Sequence, residues 1–377
     1  MRELSRIVGV IPDETVGRKR RRLFDALRDR GTVVETVHAS PPGWVDWAAK
    51  AAAFSPRGMH RWKERWEYSP VTRASRSFLG GRRARAVDRA PDALLQIGAY
   101  YDLTRVRGLK PGLRCSYHDA NLAVFARDYA FVADVNAPHI RRTLAAEQRV
   151  FDGLGLIFAM SDWLRRSFIE DFGQDPDKVV TVGGGANIPH VPEVPVRDWE
   201  RPRLLFIGLE WDRKGGSDLL EAFAKLHAER PDAELRIVGR ERPAGGEPQP
   251  GVHWLGRIDR TRPEGEAEIE RLHLEATAYV MPSVFEPFAN VFLEAMAWGL
   301  PCVGSDRCSI PETVEHGVTG YTAPARNPDA LASVLLELVS DPARARRMGE
   351  AGRQRFLERY TWDSVAARMI SEIESRL

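Results

Sequence analysis

Short apolar runs alternate with helical stretches along most of the 377 residues, and this alternation constrains the fold more than any other feature. In the first half the runs predict strands at residues 5–12, 32–38, 93–97, 113–117, 154–160 and 179–182. In the second half they predict strands at residues 203–208, 234–239, 252–255, 278–281 and 301–304. Strands that alternate with helices pair in parallel and are covered by helices on both faces. The sequence therefore predicts an α/β fold built from doubly wound sheets.

A proline-rich segment divides this pattern into two cycles. Residues 188–202 contain four prolines, a composition typical of a linker. The length of the chain also exceeds that of one ordinary domain. We therefore predict an N-terminal Rossmann-like domain at 1–187, a linker at 188–202, a C-terminal Rossmann-like domain at 203–360 and a final helix at 361–377. Ligands would bind in a cleft where the carboxyl ends of the strands meet.

Composition excludes several classes of protein. The sequence has no apolar run of about 18 residues, which a membrane-spanning helix would need. Residues 1–10 resemble a strand and not a secretion signal. Three cysteines without zinc-site spacing predict a reducing cytoplasm, no disulfide framework and no bound metal.

Charge is distributed unevenly between the two halves. Residues 1–187 hold 31 basic and 22 acidic side chains, whereas residues 188–377 hold 24 and 31. A basic half suits an anionic membrane, an acidic acceptor or nucleic acid, or it is a solvated arginine-rich surface. Because the second half is acidic, we do not expect nucleic-acid binding.

Two glutamates eight positions apart carry the strongest chemical signal. Glu286 precedes a proline and is predicted in a loop, and Glu294 lies one turn into an apolar helix that Asn290 could cap. Carboxylates accept hydrogen bonds from hydroxyl groups, and a helix N-terminus binds anions. The pattern indicates a ligand with hydroxyl groups at both ends and phosphates in the middle, as in a sugar nucleotide.

A second motif follows the first strand of the second cycle. Gly208 permits a close approach of the backbone, and Arg213 and Lys214 stand at the predicted start of the next helix. Two cations beside helix N–H groups favour a pyrophosphate. The spacing is not that of a Walker loop.

Together these motifs resemble the retaining sugar-nucleotide glycosyltransferases of family 4, the glycosyl transferases group 1, which have the GT-B fold. The resemblance rests on Gly208 with Arg213-Lys214-Gly215, on the run from Glu286 to Pro301, and on residues 310–312, 317–321 and 360–362. It is dense over residues 155–377 and implies that the C-terminal helix crosses back to the first domain.

The resemblance implies a role for each motif residue. Arg213 and Lys214 would hold the diphosphate of a nucleoside-diphosphate sugar and stabilise the leaving group. Glu294 would accept hydrogen bonds from the ribose, Glu286 would face the donor sugar, and His118 would face that sugar from the first domain. The donor-binding residues would be Gly208, Arg213, Lys214, Phe288, Ala289, Asn290 and Glu294. No metal and no cofactor other than the donor substrate would be required.

The implied reaction moves a sugar to a hydroxyl group of a glycan, a lipid-linked molecule or a small molecule, with retention of configuration, in cell-envelope polysaccharide biosynthesis. The acceptor would bind the first domain. There, residues 43–47 and 60–66 mix tryptophans with basic side chains, which either contact a membrane peripherally or pack inward. Two alternatives stay open at this stage: a non-catalytic sugar-nucleotide-binding protein, and an epimerase or phosphorylase of similar architecture.

Overall fold

The computed structural model describes residues 3–54, 66–129, 137–194, 196–242 and 248–377, and the chain divides into two compact units. The first comprises Met1–Gly184 and Trp362–Leu377, and the second comprises Gly185–Thr361. The described residues of the segment 188–202, predicted as a linker, thus lie in the second unit. Each unit is built on its own six-stranded sheet.

The sheet of the first unit is parallel and has the strand order β2-β1-β3-β4-β5-β6. Its strands are β1 (Arg6–Ile11), β2 (Val33–His38), β3 (Ala93–Ile97), β4 (Leu113–His118), β5 (Leu156–Ala159) and β6 (Val179–Thr181). Its helices are α1 (Glu14–Asp29), α2 (Gly43–Ala52), α3 (Pro70–Val87), α4 (Leu122–Asp128), α5 (Ala137–Asp152) and α6 (Asp162–Glu170), with a 3₁₀ turn at Pro176–Lys178. Strand order reverses between β1 and β3, so that the carboxyl ends of these two strands are neighbours.

The sheet of the second unit is also parallel and has the order β12-β11-β10-β7-β8-β9. Its strands are β7 (Arg203–Ile207), β8 (Glu234–Val238), β9 (Val252–Trp254), β10 (Ala278–Met281), β11 (Cys302–Ser305) and β12 (Gly320–Ala323). Its helices are α7 (Gly216–Glu229), α8 (Pro263–Glu275), α9 (Asn290–Ala297), α10 (Ile310–Thr313), α11 (Pro328–Ser340) and α12 (Pro342–Arg359). Here the order reverses between β7 and β10.

Helix α3 is an element that the sequence pattern did not predict. It contains the pair Gly80-Gly81, which is more typical of a loop. A Cβ atom added at Gly80 would lie 3.1 Å from Ala39 Cβ, and one added at Gly81 would lie 2.5 Å from Val106 Cγ2. The glycines therefore allow the helix to pack closely against its neighbours.

The last helix, α13 (Trp362–Glu374), belongs to the first unit. Val365, Met369 and Ile373 on its inner face are fully buried. At its start, the guanidinium group of Arg30 donates two hydrogen bonds of 2.8 Å to Asp363. This helix thus completes the core of the unit that begins the chain.

Candidate functional site

The topology of the second unit places a ligand-binding edge at the loops that follow β7 and β10. In open α/β sheets, ligands bind outside the carboxyl ends of the strands where strand order reverses. The loop after β7 carries residues 208–215, and the loop after β10 carries residues 282–289. Both predicted motifs therefore meet at this edge.

Close backbone contacts hold the two loops together. Gly215 has φ +72°, and a Cβ atom there would lie 2.2 Å from the carbonyl oxygen of Pro282, so no other residue fits without a shift. The N–H of Val284 donates a 2.8 Å hydrogen bond to the carbonyl oxygen of Arg213. Gly208 is also crowded, since its Cβ would lie 3.1 Å from Lys214 Cγ. The side chain of Lys214 therefore packs directly against Gly208.

Arg213 and Lys214 both contact the carboxylate of Glu286. Arg213 Nη1 lies 3.0 Å from Glu286 Oε2, and Lys214 Nζ donates a short hydrogen bond to the same oxygen. The three side chains are only 12–16% exposed. The structure therefore brings together the three residues that the sequence assigned to the diphosphate and the donor sugar. Arg213 and Lys214 thus share the single carboxylate of Glu286.

A further carboxylate orients Arg213. Glu210, which is more than half exposed, accepts two hydrogen bonds from its guanidinium group at 2.8 and 2.9 Å. Burial lowers the pKa of Arg213, but the hydrogen bonds and charges of Glu210 and Glu286 outweigh this effect and raise it overall. Arg213 Nη1 also donates a 2.7 Å bond to the carbonyl oxygen of Phe285. Arg213 is thus fixed in place as a cation.

Glu294 is buried in the first turns of α9 and forms a second charged group. Its Oε2 accepts a 2.7 Å hydrogen bond from Arg260 Nη1, and Arg260 also donates two 2.9 Å bonds to Glu266. The hydrogen bonds to Glu266 are the main cause that raises the pKa of Arg260, and the charge of Glu294 adds to it. Neither Arg260 nor Glu266 was identified from the sequence. Arg260 stands in the run Arg-Thr-Arg-Pro at 260–263, which reads as an ordinary charged turn.

The start of α9 differs from the prediction. Ala289 occupies the N-cap position and Asn290 is the first helical residue, so Asn290 does not cap the helix as predicted. Its Oδ1 atom is buried and has no hydrogen-bond partner among the described residues. Phe288 and Ala289 are buried beside it. The first N–H groups of a helix lack partners within the helix, so this turn offers donors to a ligand.

His118 lies at the end of β4 in the first unit and is 3% exposed. Its Nε2 atom is 2.7 Å from Ser116 Oγ, and its ring makes edge contacts with Phe151 and Phe168. Burial lowers the pKa of His118 to about 3, with the nearby charge of Asp119 opposing this shift. The ring is therefore neutral at physiological pH, and it can act as a hydrogen-bonding group but not as a cation.

Neither a metal-binding group nor a membrane-spanning helix is found among the described residues. The described ranges contain no group of three or more His, Cys, Asp or Glu residues arranged to hold a metal ion. Nor does any helix in the described part of the chain have the length and apolar character needed to cross a membrane. The segment 60–66, predicted to mix tryptophans with basic side chains, lies outside the described residues apart from Trp66.

Comparison with known proteins supports the predicted family resemblance. Residues 201–341 match the family model of glycosyl transferases group 1. The alpha-maltose-1-phosphate synthase of Mycolicibacterium smegmatis is 30% identical over 252 residues, which cover 58% of this chain and 63% of that relative. The D-inositol 3-phosphate glycosyltransferase of Streptomyces scabiei is 28% identical over 258 residues, covering 63% of this chain and 58% of the relative. The chain thus spans about three fifths of the length of these two relatives.

Solved structures extend the similarity of the fold to nearly the whole chain. Sucrose-phosphate synthase from Thermosynechococcus elongatus superposes with a TM-score of 0.69 at 18% identity, covering 98% of both chains. WaaG, a glycosyltransferase involved in lipopolysaccharide biosynthesis, gives 0.63 at 16% identity over 97% of this chain and 99% of its own. These comparisons confirm the predicted resemblance and the predicted GT-B fold class, with two α/β units that each contain a parallel sheet.

Proposed function

We propose, from the premise that residues 201–341 are a glycosyl transferases group 1 domain, that this chain is an enzyme that moves a sugar from a nucleoside-diphosphate sugar to a hydroxyl acceptor. The observation that carries the proposal is the group formed by Arg213, Lys214 and Glu286 at the edge where β7 meets β10. The solved structure of the Anabaena protein HepE in complex with UDP and glucose, which has this fold, supports a nucleotide donor.

The two cations at this edge, Arg213 and Lys214, suit a departing diphosphate. When the bond between sugar and phosphate breaks, negative charge accumulates on the diphosphate oxygens. Arg213 and Lys214 would stabilise that charge because both are held in place before the ligand binds. Fixed cations of this kind can take the part that a metal ion plays elsewhere, so the reaction would need no metal.

Glu286 would have two tasks in this arrangement. In the structure it holds both cations, and in the complex it would also accept a hydrogen bond from a hydroxyl group of the donor sugar. Glu294 would bind the ribose hydroxyl groups, while the N–H group of Ala289 would bind a sugar or phosphate oxygen. Gly208 and Phe288 would line the same pocket.

We further propose that the transfer retains the configuration of the donor sugar. The leaving phosphate would then take the proton of the acceptor on the same face, through an oxocarbenium-like sugar. His118 would serve as a neutral hydrogen-bonding group in this reaction, since its burial keeps the ring uncharged. A glycan, a lipid-linked molecule or a small molecule would be the acceptor, in cell-envelope polysaccharide biosynthesis in the cytoplasm.

Contact with the inner face of a membrane is a separate part of the proposal. Trp44 and Trp47 on α2 are 75% and 72% exposed, and tryptophans favour the interface between lipid and water. We expect the protein to sediment with vesicles that contain anionic lipid at low salt. The double variant Trp44→Ser/Trp47→Ser should lose this binding. Sedimentation that is equal for both proteins, or absent for both, would refute the contact.

The enzymatic proposal is tested with a panel of nucleoside-diphosphate sugars, each incubated with and without EDTA. We expect at least one donor to be hydrolysed to its nucleoside diphosphate and free sugar, with no effect of EDTA. NMR recorded before the sugar mutarotates should show that it first forms in the anomeric configuration of the donor. Lys214→Met should abolish this hydrolysis. Lys225→Met, which removes an exposed lysine paired with Glu221 and Asp329, should not. A Lys214→Met variant with normal turnover would refute the assignment.

A further inference from the structure

The first unit has its own point of strand reversal, between β1 and β3. Arginines that are buried or half-buried lie near it. Arg73 and Arg76 lie one turn apart on α3, which packs against β1 and β2. Both side chains reach the loop that follows β3. Arg73 Nη1 donates a 2.6 Å hydrogen bond to the carbonyl oxygen of Ala99. The guanidinium group of Arg76 lies 5.9 Å from the centre of the Tyr100 ring. This is the edge at which a doubly wound unit binds its ligand.

Arg76 is buried and mostly unpaired. It is 3% exposed, and its Nε and Nη1 atoms have no hydrogen-bond partner among the described residues. Among the residues that the structure describes, the carboxylate found nearest to it is that of Asp13, 4.0 Å from Nη2 and beyond hydrogen-bond distance. The rings of Tyr100 and Trp66, each 5.9 Å away, offer only weak compensation. A buried guanidinium with two unsatisfied nitrogens is costly, and such groups usually mark the place of a ligand or ion.

Two more arginines share this property. The Nη2 atom of Arg73 is buried without a partner, and burial lowers the pKa of Arg73 against the opposing charge of Glu147. Arg20 on α1 is 7% exposed; its Nη2 pairs with Asp119 at 2.9 Å, but its Nε has no partner. We name Arg20, Arg73 and Arg76 the arginine cluster.

The acidic groups near the arginine cluster leave four of its guanidinium nitrogens without a hydrogen-bond partner. Asp119 is more than half exposed and is already engaged by Arg20. Glu147 is buried, which raises its pKa to about 7 despite a hydrogen bond from the Leu122 N–H, so it carries only part of a charge at neutral pH. Asp13 caps α1 through a 2.9 Å bond from the N–H of Val16. The cluster therefore has unused hydrogen-bond donors.

We propose that the arginine cluster binds a phosphate monoester carried by the acceptor substrate. This inference rests on the proposed glycosyl transfer and adds the chemical class of the acceptor. Four unpaired guanidinium nitrogens on three side chains suit the several oxygens of a phosphate group. The diphosphate of the donor has its own cations, Arg213 and Lys214, in the second unit. The acceptor is therefore a sugar phosphate or a phosphorylated lipid.

The proposal is tested by the thermal stability of the whole protein with inorganic phosphate, titrated at constant ionic strength against chloride. Ligand that binds only the folded state raises the melting temperature. We expect phosphate to stabilise the wild type, and to stabilise Lys214→Met as well, although that variant has lost one cation of the proposed donor site. In Arg76→Met, which keeps an apolar side chain of similar length, phosphate affinity should fall at least about tenfold. The control Arg82→Met, at an exposed position of α3, should behave as wild type.

A second readout separates a binding role from a structural one. Because Arg76 is unpaired when no ligand is bound, Arg76→Met should raise the melting temperature in phosphate-free buffer. A lower melting temperature there, or a phosphate response that Arg76→Met leaves unchanged, would overturn the proposal. If the wild type turns over no donor while phosphate still stabilises it, the proposed function is wrong and the phosphate site remains.

The source of the phosphate group is identified by two probes. A soluble sugar 1-phosphate and vesicles that contain phosphatidic acid both present a phosphate monoester. Binding of either probe that depends on Arg76 supports the proposal and shows whether the acceptor is soluble or lipid-linked. If neither binds, the assignment of the acceptor class is wrong.

Discussion

Replacing Glu294 with glutamine tests the proposed ribose site with a change of a single charge. Glu294→Gln keeps the shape of the side chain and one acceptor oxygen. A hydrogen bond to a charged group contributes about 1.5–3 kcal/mol, and the amide should lose about one such bond to the ribose. We therefore expect a nucleoside diphosphate to bind about 10- to 150-fold more weakly.

The cost to folding should be much smaller than the cost to binding. Removing one partner of a buried ion pair generally costs about 3–5 kcal/mol because the other charge is left alone. Here Arg260 retains two 2.9 Å bonds to Glu266, and the glutamine oxygen can still accept from it. We expect the free energy of unfolding to fall by only about 1–2 kcal/mol.

Calorimetric titration with a nucleoside diphosphate and with its 2′,3′-dideoxy analogue isolates the contact. The wild type should prefer the ribonucleotide, whereas Glu294→Gln should bind the two ligands with nearly equal affinity. Glu266→Gln is the matched control, since it also removes a carboxylate from Arg260 but should preserve the preference. An unchanged preference in Glu294→Gln would refute the ribose role.

Three further predictions concern the scaffold. Gly215→Ala should lower the melting temperature and weaken donor binding, because the added Cβ would collide with the carbonyl oxygen of Pro282 at a left-handed φ; a melting temperature equal to that of the wild type would contradict this contact. Since burial lowers the pKa of His118 in the folded state, the unfolded chain binds more protons between about pH 6.5 and 3. Stability should therefore fall as the pH falls through this range, and urea titrations should show a shallower loss for His118→Asn. Finally, Arg197→Met should lower the free energy of unfolding by about 3 kcal/mol or more, measured by urea denaturation, because Arg197 donates three hydrogen bonds to backbone carbonyl groups.

The alternation of strands and helices predicted most of the fold. Eleven of the twelve named strands lie within a few residues of the predicted ranges because their apolar runs are bounded by clear turns. Strand β12 (Gly320–Ala323) was not predicted. Helix α3 was missed because its glycines serve close packing, which a local pattern cannot distinguish from a loop. The segment 188–202 has the composition of a linker. Its Arg197 nevertheless donates hydrogen bonds to carbonyl oxygens of the second unit, and these bonds attach the segment to that unit.

The candidate site was predictable only in part. The sequence identified Arg213, Lys214, Glu286 and Glu294, because their residue types and spacing carry a chemical meaning. It gave no sign that Glu286 holds both cations or that Arg260 covers Glu294, since these contacts join residues 34 to 73 positions apart. The arginine cluster was hidden for the same reason: in the sequence its members are three of many arginines in a basic half.

If Lys214 contacts the diphosphate of the donor, the affinity of the protein for a nucleotide should depend on the number of its phosphates. Calorimetry should measure the affinity of a nucleoside diphosphate and of the corresponding monophosphate for the wild type and for Lys214→Met. We expect the wild type to prefer the diphosphate at least about tenfold, as a charge-assisted hydrogen bond to the second phosphate requires. In Lys214→Met, which keeps Arg213, the preference for the diphosphate should be clearly smaller. A preference of the same size in both proteins would contradict the account.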